Sequence, residues 1–323
     1  MTVLFLGGTG TISTACSALA VERGLDLTLV TRGGNDDRAP DGVEILHADV
    51  RDPDALAAAL GDRTFDVVVD WFAFTPEHVD DDLRLFRERT GQYVFISSAS
   101  AYQTPPQSLP VTESTPLDNP VWGYSQAKIA CEDRVWAARD AGMGVTVVRP
   151  SHTYAPWTPP FQGGYTVLDR LQRGAPVLVH GDGLSLWTLT HHRDFAKGFV
   201  GLLGNEGALG RAVHITTDEI LAWDAIVGSL ADALGVEPHI VHVPSDRVAA
   251  VDADWGDGLL GDKAHARVFD NALVRSLVPN FEATIPWAEG AREMVAWFEA
   301  HPEARVVDED YDQKVDRLIG PFL

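Results

Sequence analysis

The chain has 323 residues, 45% hydrophobic and 22% charged, enough for one large domain or two ordinary ones around a sizeable core. Its 25 Lys and Arg against 47 Asp and Glu give a formal charge of −22, a surface that repels phosphate backbones and anionic headgroups, so neither nucleic acid nor a membrane is an expected partner. No apolar run reaches the ~20 residues of a membrane span, no basic leader precedes the first strand, and the two cysteines, Cys16 and Cys131, form neither a disulfide framework nor a metal spacing; a cytoplasmic, metal-free protein is expected.

The first half alternates strand and helix signals. Short apolar runs at 3–6, 27–30, 43–46, 67–69, 93–96 and 145–148 read as strands. Between them, 11–23, 52–60, 76–89 and 120–141 read as helices, the last with Asn119 and Pro120 where an N-cap and first helical residue belong. The expected fold is α/β, a Rossmann-type doubly wound parallel sheet. After residue 150 the chain turns to loops rich in Pro, Gly, Trp and His, then a strand-turn at 177–183, a helix at 192–203 and a strand at 212–216. A nucleotide-binding domain of 1–150 plus about 189–217 is therefore expected. A smaller, partly discontinuous C-terminal substrate domain would take 151–188 plus 218–323, with helices over 222–300 and a polar, acidic tail beyond His301.

Gly7-Gly8-Thr9-Gly10-Thr11-Ile12-Ser13 lies between the first strand and first helix. Gly7 and Gly10 allow a tight turn and close approach of a pyrophosphate, and the helix start at Thr11 and Ile12 offers free N–H groups and a positive dipole end. Ser13 stands where a third glycine is usual. An acid at the end of the second strand would bind the ribose hydroxyls of NAD, but Thr31 and Arg32 stand there. An arginine pairs with a 2′-phosphate, so NADP is preferred over NAD as cofactor. Asp49, followed by Val50, sits where a carboxylate could accept from the adenine amino group or simply cap its turn.

Tyr124-Ser125-Gln126-Ala127-Lys128 puts Tyr124 and Lys128 on one helix face, and Ser98 follows a sheet strand whose end points into the ligand crevice. Removing hydride from a carbinol carbon requires the hydroxyl proton to leave, and a tyrosinate can take it. Bringing a free phenol from ~10 to about 7 needs roughly 4 kcal/mol, which the Lys128 ammonium and an oxidised nicotinamide can supply. Ser98 would hydrogen-bond the same substrate oxygen, giving a catalytic set of Ser98, Tyr124 and Lys128.

With the glycine loop, Asp49, the run Phe95-Ile96-Ser97-Ser98-Ala99-Ser100-Ala101-Tyr102, the Tyr124–Lys128 motif and Arg149-Pro150, the chain resembles the extended short-chain dehydrogenase/reductase family, specifically its NAD-dependent epimerase/dehydratase group. The resemblance implies a homodimer formed through helices 76–89 and 120–141. It also implies that Asp70-Trp71-Phe72-Ala73-Phe74 borders the nicotinamide ribose, with Phe72 and Ala73 at the cofactor.

Departures from the family pattern bear on the substrate. Family dehydratases carry an Asp-Glu pair after the catalytic serine, whereas Ala99 and Ser100 stand here, so water elimination is not expected. His152 replaces the Asn that holds a nucleotide sugar, and Trp187 stands where an Arg meets its phosphates. A substrate without the usual diphosphate follows, unless Arg193 or Arg170 does that work. Ser100, His152, Tyr154 and Trp187 are the candidate substrate-binding residues; with Trp157 and Phe161 the aromatic ones form a ring-binding pocket or simply pack between domains. His152 is either an extra acid or base or structural, and His191-His192 reads as a polar hinge. The expected activity is hydride transfer at a secondary alcohol or ketone of a small, sugar-like molecule, with epimerase first. An NADPH-dependent ketoreductase is second, and a non-catalytic binding protein on the same fold third.

Overall fold

A computed structural model describes residues 1–322. The strands β1 (Thr2–Leu6), β2 (Asp26–Thr31), β3 (Glu44–His47), β4 (Phe65–Asp70), β5 (Thr90–Ile96) and β6 (Val145–Pro150) alternate with the helices α1 (Ser13–Glu22), α2 (Pro53–Leu60), α3 (Pro76–Phe86) and α4 (Gly123–Asp140). Asp52 and Pro53 open α2 as the sequence suggests, the Asp52 carboxylate accepting from Asp54 N and Ala55 N at 3.1 and 3.0 Å.

The expected start of α4 is wrong. The helix begins at Gly123, and Asn119 is buried instead, its amide donating to the Ser100, Gly261 and Thr104 oxygens while its Oδ1 accepts from the Trp122 amide. A residue that reads locally as an N-cap is held by three distant partners.

Beyond residue 150 come β7 (His152–Tyr154), α5 (Tyr165–Gln172), β8 (Val177–His180), β9 (Leu186–Trp187), β10 (Leu189–His191), α6 (His192–Val200), β11 (Arg211–Ile215) and β12 (Leu221–Ala222). They are followed by α7 (Trp223–Leu234), β13 (Ile240–Val243), α8 (Ser245–Val251), α9 (Ala253–Gly258), α10 (Ala272–Leu277), α11 (Trp287–Ala300) and α12 (Glu309–Ile319).

Seven strands form one parallel sheet in the order β3-β2-β1-β4-β5-β6-β11. Buried on both faces, its strands are near-continuous apolar runs. In β1, Val3 and Phe5 face the layer of α1 and α6, whose Cys16, Phe195 and Phe199 pack on them; Leu4 and Leu6 face the layer containing Val79, Phe86, Cys131 and Val135 of α3 and α4. Both cysteines are free and buried. Strand order reverses between β1 and β4, so a crevice opens outside the carboxyl ends of these strands.

A second apolar core, around Trp187, Trp223, Trp287, Leu230 and Met294, unites α5, α7, α11 and three two-stranded sheets, β7–β10, β9–β12 and β8–β13. The acidic tail joins it: α12 buries Tyr311, Val315, Leu318 and Ile319 and sets Asp312 and Asp316 against the buried Arg170. No helix among the described residues is long and apolar enough to cross a membrane.

Candidate active site

Gly7 and Gly8 follow β1 at φ of 109° and 122°, the region open to glycine and costly for other residues. A Cβ on Gly7 would lie 2.6 Å from the Phe72 ring, and one on Gly8 would lie 2.6 Å from Leu29. The loop can therefore press against β2 and the turn after β4, leaving the start of α1 without a side-chain cap. Ser13, in the position usual for a third glycine, accepts from Gly10 N at 2.8 Å and so stiffens the turn. A groove runs past Gly10, Thr11 and Ile12 to Phe72, Phe74 and Lys128. Uncapped N–H groups beside a glycine turn fit the pyrophosphate of a dinucleotide.

Arg32 is exposed just after β2 and forms no ion pair among the described residues. Asp49 is exposed too, and its carboxylate accepts from Arg51 N at 2.9 Å, the turn-capping contact. Val50 is half-buried beside a small cleft with Arg51 and His78.

The Phe72–Ala73 turn is built by Asp70. Its Oδ1 accepts from Phe72 N at 2.7 Å and Ala73 N at 3.1 Å, and its Oδ2 accepts from Arg51 at 3.0 Å. Ala73 is buried, and it meets the candidate site through its carbonyl, which accepts from Lys128 Nζ at 2.7 Å. Ile96 O, at the end of β5, accepts from the same ammonium at 2.8 Å. Two of its three N–H donors are thus anchored to main chain, with the Phe74 ring centroid 4.6 Å away.

Burial pushes Lys128 down to about 8. The Tyr124 phenol is pushed up from its ordinary value, by desolvation first, and the hydrogen bond with Ser98 pulls it the other way. This differs from the sequence expectation. Lys128 Nζ lies 5.9 Å from the Tyr124 ring centroid, held by carbonyls, and the contact with Ser98 works toward the phenolate.

Ser98 in turn ends a hydroxyl chain. Ser125 Oγ donates to Ser100 Oγ at 2.8 Å, Ser100 Oγ lies 2.8 Å from Ser98 Oγ, and Ser100 N donates to Ser98 Oγ at 3.2 Å. With Ser100 donating onward, Ser98 accepts twice, which leaves its own proton for Tyr124 or a substrate oxygen. Ser100 lines the cavity, but its hydroxyl is buried and engaged in this chain. Below lies a buried pair: Arg149 donates to both oxygens of Glu132 at 2.9 and 2.6 Å, and Ser97 donates to Glu132 at 2.6 Å.

On the other side of Ser98 and Tyr124 lies a cavity of about 230 Å³, lined by Ser100, Trp122, His152, Trp187, Asp262, Lys263, Arg267 and Phe269. A second of about 250 Å³ continues past His152 and Lys263 to Phe161, His180 and Trp223. Together they reach the ~300–1,000 Å³ of a small-molecule site. His152 and Trp187 are joined, Trp187 Nε1 donating to His152 Nδ1 at 2.9 Å, and burial pushes His152 down to about 3.

Three expectations are corrected. Tyr154 lines neither cavity; it is fully buried against Trp287, at 4.9 Å between centroids, because Gly290 leaves room for its hydroxyl. His191 and His192 are not a polar hinge: both are buried, His191 beside Tyr154 and His192 against Trp157. Neither spare arginine is free, since Arg170 is paired with Asp312 and Asp316, and Arg193 with Glu293. Sequence reasoning missed Ser125, Asn119 and Lys263. Ser125 sits inside the Tyr–Lys motif and could have been suspected; Lys263 carries no local pattern.

The chain matches the NAD dependent epimerase/dehydratase family over residues 3–215. It belongs to that family. The family is one of NAD-dependent enzymes of the short-chain dehydrogenase/reductase kind. Among its relatives, the chloroplast stem-loop binding protein of 41 kDa b of Arabidopsis thaliana is 29% identical over 255 residues, 74% of this chain and 65% of that protein. The chain therefore spans slightly under two thirds of that relative. The 2′-dehydrokanamycin reductase of Streptomyces kanamyceticus is 27% identical over 286 residues, 87% of this chain and 80% of that one. Among solved structures, UDP-glucose 4-epimerase from Bifidobacterium longum, in complex with NAD+ and UDP, superposes with a TM-score of 0.76 at 19% identity, covering 94% of this chain and 100% of that one. This family member thus shares its fold with that epimerase.

Proposed function

We propose that this family member catalyses NAD(P)-dependent hydride transfer at a secondary alcohol or ketone of a sugar-like molecule, with net reduction or oxidation favoured. The observation that carries the reading is that Ser98 and Tyr124 line both the groove leading from the glycine turn and the cavity beside His152. A bound nicotinamide ring supplies the hydride donor or acceptor. Tyr124 holds the proton that a substrate oxygen gains on reduction. Ser98 donates to that oxygen, its hydroxyl aimed by Ser100 and Ser125. Lys128 keeps one N–H toward the groove for the nicotinamide ribose, and its charge favours the phenolate once the proton has left. Gly7, Gly10, Thr11 and Ile12 would hold the pyrophosphate, Asp49 and Val50 the adenine, and Phe72 and Ala73 the nicotinamide end.

Net redox is supported by the reductase named among the relatives, which aligns over most of both chains. It is supported also by Arg32, whose unpaired guanidinium suits the 2′-phosphate of NADP(H). Trp187 in place of a phosphate-binding arginine supports a substrate without a diphosphate. Epimerisation, the activity in the family's name, uses the same residues and is the second reading. The chain's charge of −22 disfavours RNA binding of the kind named for the chloroplast relative. We also propose a homodimer through α3 and α4, whose outer faces carry Leu83, Arg84, Arg134 and Ala137 around an open hollow.

The test is a mass spectrum of the protein as purified, together with the reduced-nicotinamide absorbance during incubation with sugar ketones. Stoichiometric loss of absorbance supports net reduction. A nucleotide released only by denaturation, with no absorbance change, supports epimerisation. Absence of any nucleotide affinity would overturn both.

A further inference from the structure

Among the described residues, three side chains line both cavities: Trp122, His152 and Lys263. Their hydrogen-bonding character is one-sided. An indole N–H can only donate, so the bond from Trp187 Nε1 obliges His152 Nδ1 to accept and leaves the ring proton on Nε2. Among the described residues His152 Nε2 makes no hydrogen bond, and it is not sealed from solvent, unlike Nδ1 of the buried His192. His152 therefore offers an N–H donor to the cavities, and because burial keeps the ring neutral it does so without titrating near neutral pH.

Lys263 is the other polar head. Its carbonyl is fixed by His180 Nε2 at 2.9 Å and Ser185 Oγ at 3.2 Å, and its ammonium lies 5.3 Å from the Trp122 ring centroid. The remaining cations of these walls are neutralised, Arg170 by Asp312 and Asp316, and Arg267 by Asp262. Asp254, the other carboxylate on the lining, is exposed and forms no ion pair with Lys263. An unpaired ammonium facing a cavity stands out in a chain with 47 acidic and 25 basic residues, whose overall field repels anions.

We infer that Trp122, His152 and Lys263 form a recognition site for an anionic oxygen group on the substrate, a carboxylate or phosphate monoester on a sugar-sized molecule, with Trp187 as the positioning residue that fixes the His152 tautomer. The inference rests on the reading that these cavities take the substrate, and it narrows its chemistry from sugar-like to sugar-like with one anionic group. A neutral hydroxyl could accept from His152 or Lys263 but gains no charge–charge attraction from the ammonium. A diphosphate would bring a second negative group to the place where Trp187 stands.

The test uses the full chain loaded with nicotinamide dinucleotide and labelled with ¹⁵N at the tryptophan indoles and histidine rings. Glucuronate, glucose 6-phosphate and glucose are titrated separately. At least one anion should shift the Trp122 and Trp187 indole signals saturably, glucuronate marking a carboxylate site and glucose 6-phosphate a phosphate site. Glucose should not shift them at the same concentrations. Lys263→Gln, at a side chain with no hydrogen bond to lose, should weaken the anion about tenfold. Trp187→Phe should convert the His152 ring signals from a pure Nε2–H pattern to a mixture of tautomers and weaken the same anion. Equal binding of glucose, an unchanged affinity in Lys263→Gln, or no shift with any probe would overturn the inference. Tyr124→Phe separates it from the hydride-transfer reading, since that variant should keep anion binding while losing turnover.

Discussion

Asp70 joins the fold to the site, and replacing it gives a quantitative prediction. The side chain is fully buried, accepts from two main-chain amides and pairs with Arg51. Removing one partner of a buried ion pair costs ~3–5 kcal/mol. A second carboxylate moderates that loss: Asp82 lies 3.6 Å from Arg51, and burial first and Asp70 next hold its carboxyl well above the usual range. Without Asp70, Asp82 ionises more readily and takes over Arg51, so Asp70→Ala should cost about 3 kcal/mol, the low end. With an unfolding entropy of ~2.1 cal/mol/K per residue, that lowers the melting temperature of 323 residues by about 4 °C. Asp70→Asn keeps an acceptor for Phe72 N and Ala73 N and loses only the charge, so about 1–2 kcal/mol, or about 2 °C, is expected. Calorimetry with a parallel dinucleotide titration measures both. Asp70→Ala should also weaken the dinucleotide, because the loosened turn carries the carbonyl that holds Lys128. Equal melting of the two variants, or an Asp70→Ala protein melting within about 1 °C of the parent, would refute the division into charge and amide contributions.

Three further outcomes are expected. In carbonyl reduction, kcat/KM should fall as pH rises through about 8, because Lys128 is an ammonium below that value and neutral above it; Lys128→Met should flatten this limb, and a limb surviving in that variant belongs to another group. Gly8→Ala, at φ 122° with Leu29 2.6 Å from the new methyl, should cost ~1–3 kcal/mol of stability and weaken dinucleotide binding, read by melting and by titration. Arg32→Ala should weaken NADP(H) by roughly tenfold or more and NAD(H) little; an equal loss for both would remove Arg32 from cofactor selection.

Much of the fold was legible because its signals are local. Apolar runs of three or four residues mark the parallel strands, the stretches between them read as helices, and the Tyr124–Lys128 spacing places two side chains on one helix face whatever surrounds them. What escaped is long-range. Asn119 reads as an N-cap until Gly261, 142 residues later, draws its amide away. Tyr154 reads as a pocket aromatic until the missing side chain of Gly290 opens a slot for it in the core. The electrostatics of Tyr124 depend on two carbonyls that anchor Lys128 and on a hydroxyl chain from Ser125, and neither has a spacing that a one-dimensional reading can count. Lys263 owes its prominence to what the other cations are bonded to, which only the folded chain decides.

The central claim is that Tyr124 stands between a dinucleotide groove and a substrate cavity and moves the proton. The most direct test compares the parent and Tyr124→Phe in single turnovers of the dinucleotide-loaded protein with an accepted sugar ketone, alongside a dinucleotide titration of each. The account predicts an unchanged dinucleotide affinity and a hydride-transfer rate lower by a factor of ~10²–10⁴. A phenylalanine variant that turns over at the parental rate would contradict it.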